Sequence, residues 1–523
     1  MQFILIFTPE AGIINDVEKK SDENRITGNQ HCGNAEKKPG GLTENGGRES
    51  RDVIKKLVAW LGIIIISGTM LLMVKTTVTD YSVSSLLLGL IALAAVLAIC
   101  YAIINCNYNE SIMLAVILFI AFGLRLIFIT LVKTVPETDF SRLLSAAKYI
   151  LKKDYSQFQP ESGYFWAYGY QIPFCFYEAG ILKLFGTIDA IKIFNALFIT
   201  GTCLLMYMII KPMNSKVALA AAFLYAVYPE SIMLSSVLTN QHVALFFMFL
   251  GIYFYLNSKC ILSGISLILS NLMRQGAIII LIAIVCHCLY LWIREKNARK
   301  MLPCIKIILS YFILKKIIAF VFVKSGIAPY GIDANVPQWK FAVGLDFSGY
   351  GGYLQAEEHE YILSPAYTSS ERWAETWKII SSSYKSIGDS IKFFASKIVT
   401  MWCRTKGEGL ALDGLNGNDT MIFGLSYFKV TDILNIINLG IYFTIWGGAL
   451  AGAIGFVQKK NGINDAPVDD TPVFPALITF IGFFLIYLII EVMERYRFEA
   501  IAVMLIITAA GLKKFKKQTS SHT

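Results

Sequence analysis

The chain has 523 residues, of which 55% are hydrophobic and only 16% charged, against about 25% charged in a soluble protein; so few charges cannot build a water-facing surface. A hydrocarbon core about 30 Å thick needs about 20 mostly apolar residues per helix, and such runs recur throughout, so the expected fold class is an all-α polytopic membrane protein. The net charge of +10 would point to nucleic acid in a soluble chain, but here Lys and Arg are weighed first against their bias toward cytoplasmic loops, and no nucleic-acid partner is expected.

Residues 1–50 mix Asp, Glu, Lys, Asn and Gly around one apolar opening at 3–7, too brief for the core of a signal peptide. They read as a disordered cytoplasmic tail, or as a start codon set too early. Residues 51–110 hold two spans, 57–74 and 84–104. Residues 111–323 hold a core with spans at 111–132, 190–210, 217–236, 241–257, 260–273, 277–293 and 304–323. Spans at 432–457, 474–490 and 498–512 precede a basic tail, 513–523. The expectation is about twelve spans, each helical because lipid offers backbone groups no partner.

Alternating these spans gathers Arg51, Lys55, Lys56, Lys211, Lys216, Lys259, Arg294, Lys296, Arg299, Lys300, Lys459, Lys460 and the tail lysines on one side. That side is then cytoplasmic, together with both termini, in a multi-pass cell-membrane protein. The opposite side receives two long segments, 133–189 and 324–431. The apolar stretch 167–186 resembles a further span, but counting it as one would move Arg294 to Lys300 outside. It is therefore expected to lie flat on the outer surface as an amphipathic helix, with Pro173 limiting its regularity. A second interfacial helix is expected at 391–402, with Lys392 and Lys397 among apolar residues and Trp402 at its end.

Charged residues at the outer surface are the candidates for chemistry. Thr138-Asp139-Phe140 follows a span and opens an amphipathic segment in which Leu143, Leu144, Ala147, Ile150 and Leu151 fall at helical spacing. Asp139 is either a functional carboxylate or, with Thr138, an N-cap. Arg125 lies inside an apolar run, where an ionisable group faces a partner or a cavity, or snorkels to the surface. Arg274 sits in the tight turn Asn271 to Gly276, and Glu491-Val492-Met493-Glu494-Arg495-Tyr496-Arg497 concentrates four charges and a phenol between two apolar runs. A planar guanidinium suits the phosphate of a lipid carrier.

Other groups invite blander readings. Cys100, Cys203, Cys260, Cys286 and Cys288 lie in apolar runs without zinc spacing and read as small core residues, and Cys286-His287-Cys288 reads as packing. His242 and His359 are isolated, and a metal site would need carboxylates such as Glu357, Glu358 and Glu360. The stretch Asp413 to Asp419 lacks the calcium-loop pattern and reads as a flexible Gly-rich loop. No metal or other cofactor is expected, with a divalent cation left open.

In order along the chain, the carriers of a resemblance are Arg125, Thr138-Asp139-Phe140, the surface helix ending Lys183-Leu184-Phe185-Gly186, Phe194-Asn195, Tyr228-Pro229, Arg274 and Glu494-Arg495-Tyr496-Arg497. This set resembles the C superfamily of membrane glycosyltransferases (GT-C), in the branch with protein O-mannosyltransferases and the lipid A aminoarabinose transferase. The resemblance covers roughly 111–512. Trp339 to Asp346, followed by Gly349 to Gly352, is similar to Gram-positive members of that group. Tyr168-Gly169-Tyr170-Gln171-Ile172-Pro173 stands where the aminoarabinose branch has an acidic-basic-proline motif, so the phosphate-binding lysine of that branch has no counterpart there.

The resemblance implies inverting transfer of a sugar from a polyprenyl-phosphate donor to a glycan, lipid or protein acceptor on the outer face. It implies Asp139 as the catalytic base, and Arg125, Arg274, Arg495, Arg497 and Tyr496 as lipid-phosphate or donor contacts. Two other readings stay open, a transporter of polysaccharide or lipid-linked glycan and a glycan polymerase. Against a carrier, no inverted repeat is visible, and the informative charges crowd at the surface.

Overall fold

The computed structural model describes residues 43–352, 359–406, 421–422, 425–458 and 472–516. The unit Met1–Arg48 contributes only helical residues from Thr43 onward, and the tail expected at 1–50 lies outside the described residues up to residue 42. Everything that follows concerns the unit Glu49–Thr523.

The described chain is helical apart from a two-residue ladder, Met421–Ile422 with Leu425–Ser426. Helices α1 (Thr43–Asp80), α2 (Val83–Asn105) and α3 (Glu110–Leu131) come first. The first long segment holds α4 (Thr138–Leu151), the short α5 (Tyr164–Ala167) and α6 (Ile172–Phe185). Next come α7 (Ile188–Ile210), α8 (Ser215–Ala226), α9 (Pro229–Leu234), α10 (Gln241–Leu256), α11 (Cys260–Met273), α12 (Ala277–Glu295) and α13 (Leu302–Lys324). The second long segment carries α14 (Gln338–Leu345), α15 (Ser369–Ser383) and α16 (Ile387–Ile398). The chain closes with α17 (Tyr427–Gln458), α18 (Val473–Ile489) and α19 (Phe498–Leu512).

Every expected span is helical, yet only six helices among the described residues are both long and apolar enough to cross a membrane: Val53–Asp80 within α1, α2, α3, α7, α12 and Lys429–Gln458 within α17. Helices α8, α10, α11 and α18 are apolar but shorter. The run 217–236 is two helices rather than one, because Pro229 supplies no N–H and Tyr228 before it is extended at φ −67°, ψ 112°. Helix α19 is buried along nearly its whole length, with α17, α18 and α8 packed around it.

The segment 133–189 leaves and re-enters the bundle at one end. Lys133, just past α3, pairs with Asp189 in the first turn of α7 at 3.4 Å, and the buried Lys192 donates to Thr134 O at 3.0 Å. Helix α6 therefore makes no crossing between them. It packs against α4 and α7 and ends at Gly186, whose φ of +73° suits glycine. Pro173 stands in its first turn, where a missing N–H costs nothing, so it starts the helix rather than disturbing it.

At the opposite end the basic turns collect. Lys216 donates to Cys106 O at 2.7 Å, Asn105 to Phe515 O at 3.0 Å, and Lys55 lies 4.2 Å from the Phe456 ring.

The two long segments dock on each other through a bridge between Tyr168 and Ala334 and a small second core of Trp166, Val336, Trp339, Val343, Ile362 and Ile379. The helix expected at 391–402 departs from expectation. Helix α16 begins at Ile387, and Trp402 is packed inside against Phe480, Phe484 and Trp446 rather than at an interface.

Candidate functional site

Helix α4 starts under strain. Thr138, a β-branched residue, has φ +48°, in the left-handed region such side chains avoid. Glu137 precedes the helix, and no side chain caps it, so the N-cap role open to Thr138 or Asp139 is not taken up. Asp139 stands half-buried in the first turn, while Phe140, Leu143, Leu144 and Ala147 turn inward. Burial, and after it the charge of Asp139, push the Tyr164 phenol well above its usual range.

Arg495 reaches this turn from the other end of the sequence. Its guanidinium lies 5.0 Å from the Phe140 ring and 5.9 Å from the Tyr496 ring. Its backbone carbonyl accepts from Gln241 Nε2 at 2.6 Å, which fixes the turn against the start of α10. Arg274 closes on the same phenol from the α11–α12 turn: its guanidinium is 4.9 Å from the Tyr496 ring, its Nε is 2.9 Å from Glu499 Oε1, and its Nη1 is 3.5 Å from Asn240 Oδ1. Tyr496 itself stacks on Tyr487 with centroids 6.0 Å apart.

A third cation comes from the second long segment. Lys340 Nζ is 2.5 Å from Glu491 and 5.9 Å from the Tyr168 ring. Burial works against its charge, but Glu491, with the phenols of Tyr496 and Tyr170, outweighs it and holds the ammonium well above the ordinary lysine range. A lysine thus stands beside the Tyr168 to Pro173 stretch, which has none of its own.

Lys340 is positioned by close packing. At Gly344 a Cβ would collide with the backbone of Ile489 and Ile490, so α14 approaches the end of α18 as only glycine allows. Lys397 ties the same corner together, donating to Gly344 O at 2.5 Å, Leu488 O at 2.9 Å and Ile490 O at 2.9 Å. Three carbonyls match the three hydrogens of an ammonium. Burial draws its pKa down to about 7 against the pull of Glu491. Expected at an interface, Lys397 is instead buried because the α18 terminus leaves carbonyls that need donors.

The remaining candidates turn into the protein. Arg125 is fully buried, with Nη1 donating to Ala121 O at 2.8 Å and Ala226 O at 2.7 Å, and Nη2 to Tyr225 O at 3.2 Å and Ser231 Oγ at 2.8 Å. It does not snorkel; it serves the broken end of α8, where the helical partner of Tyr225 O would be the absent N–H of Pro229. Arg497 is also fully buried, donating from Nε to Glu230 Oε2 at 3.1 Å, from Nη2 to Glu230 Oε1, and from Nη1 to Met401 O at 3.2 Å and Arg404 O at 2.6 Å. The structure therefore brings together the α4 start, Arg274, Arg495 and Tyr496, and gives Arg125 and Arg497 to the frame.

Lys340, Tyr170, Gln241 and Glu499 belong to the cluster without having been singled out. Glu499 carried a usable signal, a carboxylate inside the apolar run 498–512. His287 Nδ1 and the Tyr255 hydroxyl are 2.7 Å apart in the packed interior. Asp346 is held by Ser348 and lies 3.7 Å from His359, while Glu357, Glu358 and Asp413 to Asp419 are outside the described residues. Among the described residues no group of three or more His, Cys, Asp or Glu side chains is arranged to hold a metal ion.

No family model matches this chain, and no curated protein matches it either.

Proposed function

We propose that the chain is a membrane-embedded inverting glycosyltransferase that moves a sugar from a polyprenyl-phosphate donor to an acceptor at the outer face of the cell membrane, with both termini cytoplasmic. The observation that carries this reading is the convergence of Arg274, Lys340 and Arg495 on Tyr170 and Tyr496, beside the turn that presents Asp139. The GT-C resemblance supports the same reading.

In this mechanism the acceptor hydroxyl oxygen attacks the anomeric carbon from the face opposite the phosphate, and Asp139 takes the hydroxyl proton. The bond from the anomeric carbon to the phosphate oxygen breaks with its electron pair, so the leaving group departs as polyprenyl phosphate with one more negative charge. Preorganised cations stabilise that charge as it develops, the task given to Arg274, Arg495 and Lys340. Thr138 holds Asp139 at a strained helix start, as functional residues often are held.

The test uses purified protein, a radiolabelled polyprenyl-phosphate hexose and membrane fractions as acceptor. The native chain transfers label, and Asp139→Asn loses about 100-fold or more of the rate. Undiminished transfer by Asp139→Asn removes Asp139 as the base. No transfer by either chain, with lipid-linked glycan accumulating in cells that lack the protein, favours the transporter or polymerase readings.

A further inference from the structure

The second long segment presents an aromatic face that the proposed chemistry does not use. Helix α15 opens with a complete capping box, in which Thr368 and Glu371 bond each other's backbone N–H, so it is a preformed element. Arg372, Thr376 and Ile379 turn inward, with Arg372 donating to Ile362 O at 3.1 Å and Ser364 O at 2.8 Å. One turn apart on the outer flank stand Trp373 and Trp377, 37% and 61% exposed. Phe341 continues the row, 5.4 Å from Trp373, and is the residue next to Lys340. Helix α14 thus has one side chain in the cationic cluster and its neighbour in the aromatic row.

The surroundings separate a sugar-binding face from a lipid-facing one. Helix α16, pinned by Lys397 to the end of α18, exposes aliphatic Ile387 and Ile391 at 74% and 66%, as a helix lying on lipid would. The exposed neighbours of the Trp373–Trp377 flank are mostly polar: Ser370, Lys378 and Ser381 are exposed beside it, Ile380 is only half-exposed, and Glu375 accepts from the Tyr361 hydroxyl at 3.1 Å. Flat indoles among hydroxyls, a carboxylate and an ammonium fit pyranose rings, whose C–H faces stack on aromatics while their rims seek hydrogen bonds. We propose that the Trp373–Trp377 face of α15 binds a carbohydrate chain, the acceptor glycan, and leads it past Phe341 toward Lys340. The word acceptor rests on the transferase reading; the binding of carbohydrate does not.

The full chain in nanodiscs, labelled with 5-fluorotryptophan at its eight tryptophans, gives fluorine resonances assignable through Trp373→Phe and Trp377→Phe. Cellohexaose, maltohexaose and chitohexaose are the probes. At least one shifts both assigned resonances saturably without moving those of buried Trp339, Trp402 and Trp446, and Trp373→Ala with Trp377→Ala weakens its binding by about tenfold. No shift with any of the three overturns the proposal. So does strong broadening of the Trp377 resonance by spin-labelled phosphatidylcholine in the nanodisc, which would make this face part of an interfacial aromatic belt. Carbohydrate binding by a chain that transfers no label keeps this inference and removes the transferase.

Discussion

Arg497 and Glu230 are 267 residues apart in sequence and meet through two guanidinium nitrogens and both carboxylate oxygens, with side chains 0% and 2% exposed. Asn438 adds a third bond to Glu230 at 3.1 Å, so α9, α17, the turn after α16 and the start of α19 share one buried charge pair. Taking away one partner leaves the other charged in a dry interior, at a cost of roughly 3–5 kcal/mol. Arg497→Ala should lower stability by that amount in chemical denaturation of the detergent-solubilised protein, and Arg497→Met with Glu230→Leu should recover most of it. A single-variant cost under about 1 kcal/mol would contradict the clamp.

Arg125 is expected to behave as a replacement for a backbone donor. Arg125→Leu strips Ala226 O of a bond it receives in the interior and leaves Tyr225 O with backbone donors such as Tyr228 N–H at 3.3 Å, and an unsatisfied buried acceptor costs about 1–3 kcal/mol. Pro229→Ala restores an N–H one turn beyond Tyr225, so it should be worth more stability in the Arg125→Leu background than in the native one. Thermal melts of the four chains measure that coupling, and strict additivity would refute the role.

Glu494 supplies a pH dependence with a definite sign. Burial raises its pKa above the usual 4.5, against the opposing pull of Arg497 and Arg404, the latter 3.6 Å away. The folded chain therefore holds this proton more tightly than the unfolded chain, so its contribution to stability is greatest at low pH and is lost as pH rises from 4.5 through the folded value. Glu494→Gln should remove that loss. The difference in melting temperature between variant and native protein should grow in the variant's favour from about pH 5 to about pH 7.5, whereas a constant difference would mean that Glu494 does not titrate there.

On the transferase reading, Arg495 separates turnover from folding. Its guanidinium lies over rings at the surface of the cluster, not in the interior clamp. Arg495→Ala should lower kcat with a polyprenyl-phosphate sugar by about tenfold or more, the scale of a charged hydrogen bond, while stability falls by no more than about 2 kcal/mol, the scale of its ring contacts. Unchanged KM and kcat would exclude Arg495 from the donor site.

Much of the framework could be read from hydropathy alone, because each apolar run had to close its own backbone bonds. The expectation that 167–186 makes no crossing followed from charge bias, and the Lys133–Asp189 pair, which brings both ends of 133–189 to one end of the bundle, agrees with it. What hydropathy could not supply was pairing at a distance. Lys340 and Glu491 are 151 residues apart, and nothing local marks either as the other's partner. Lys397 was misplaced for a related reason: an isolated lysine in an amphipathic helix looks interfacial until the carbonyls of another helix's end are seen to need its hydrogens. Arg125 carried the right signal, a charge where charge is costly, but its partner is the gap left by a proline rather than a ligand.

The ends of 133–189 are held to each other by the Lys133–Asp189 pair and the Lys192 bond to Thr134. Such a segment is a cassette. Its two ends stay joined whatever lies between them, because α3 and α7 are already paired where it departs. Chimeras cut at these two points should therefore keep the α3–α7 junction, provided that the contacts of α6 with α7 and of Trp166 with the second long segment are carried over with it.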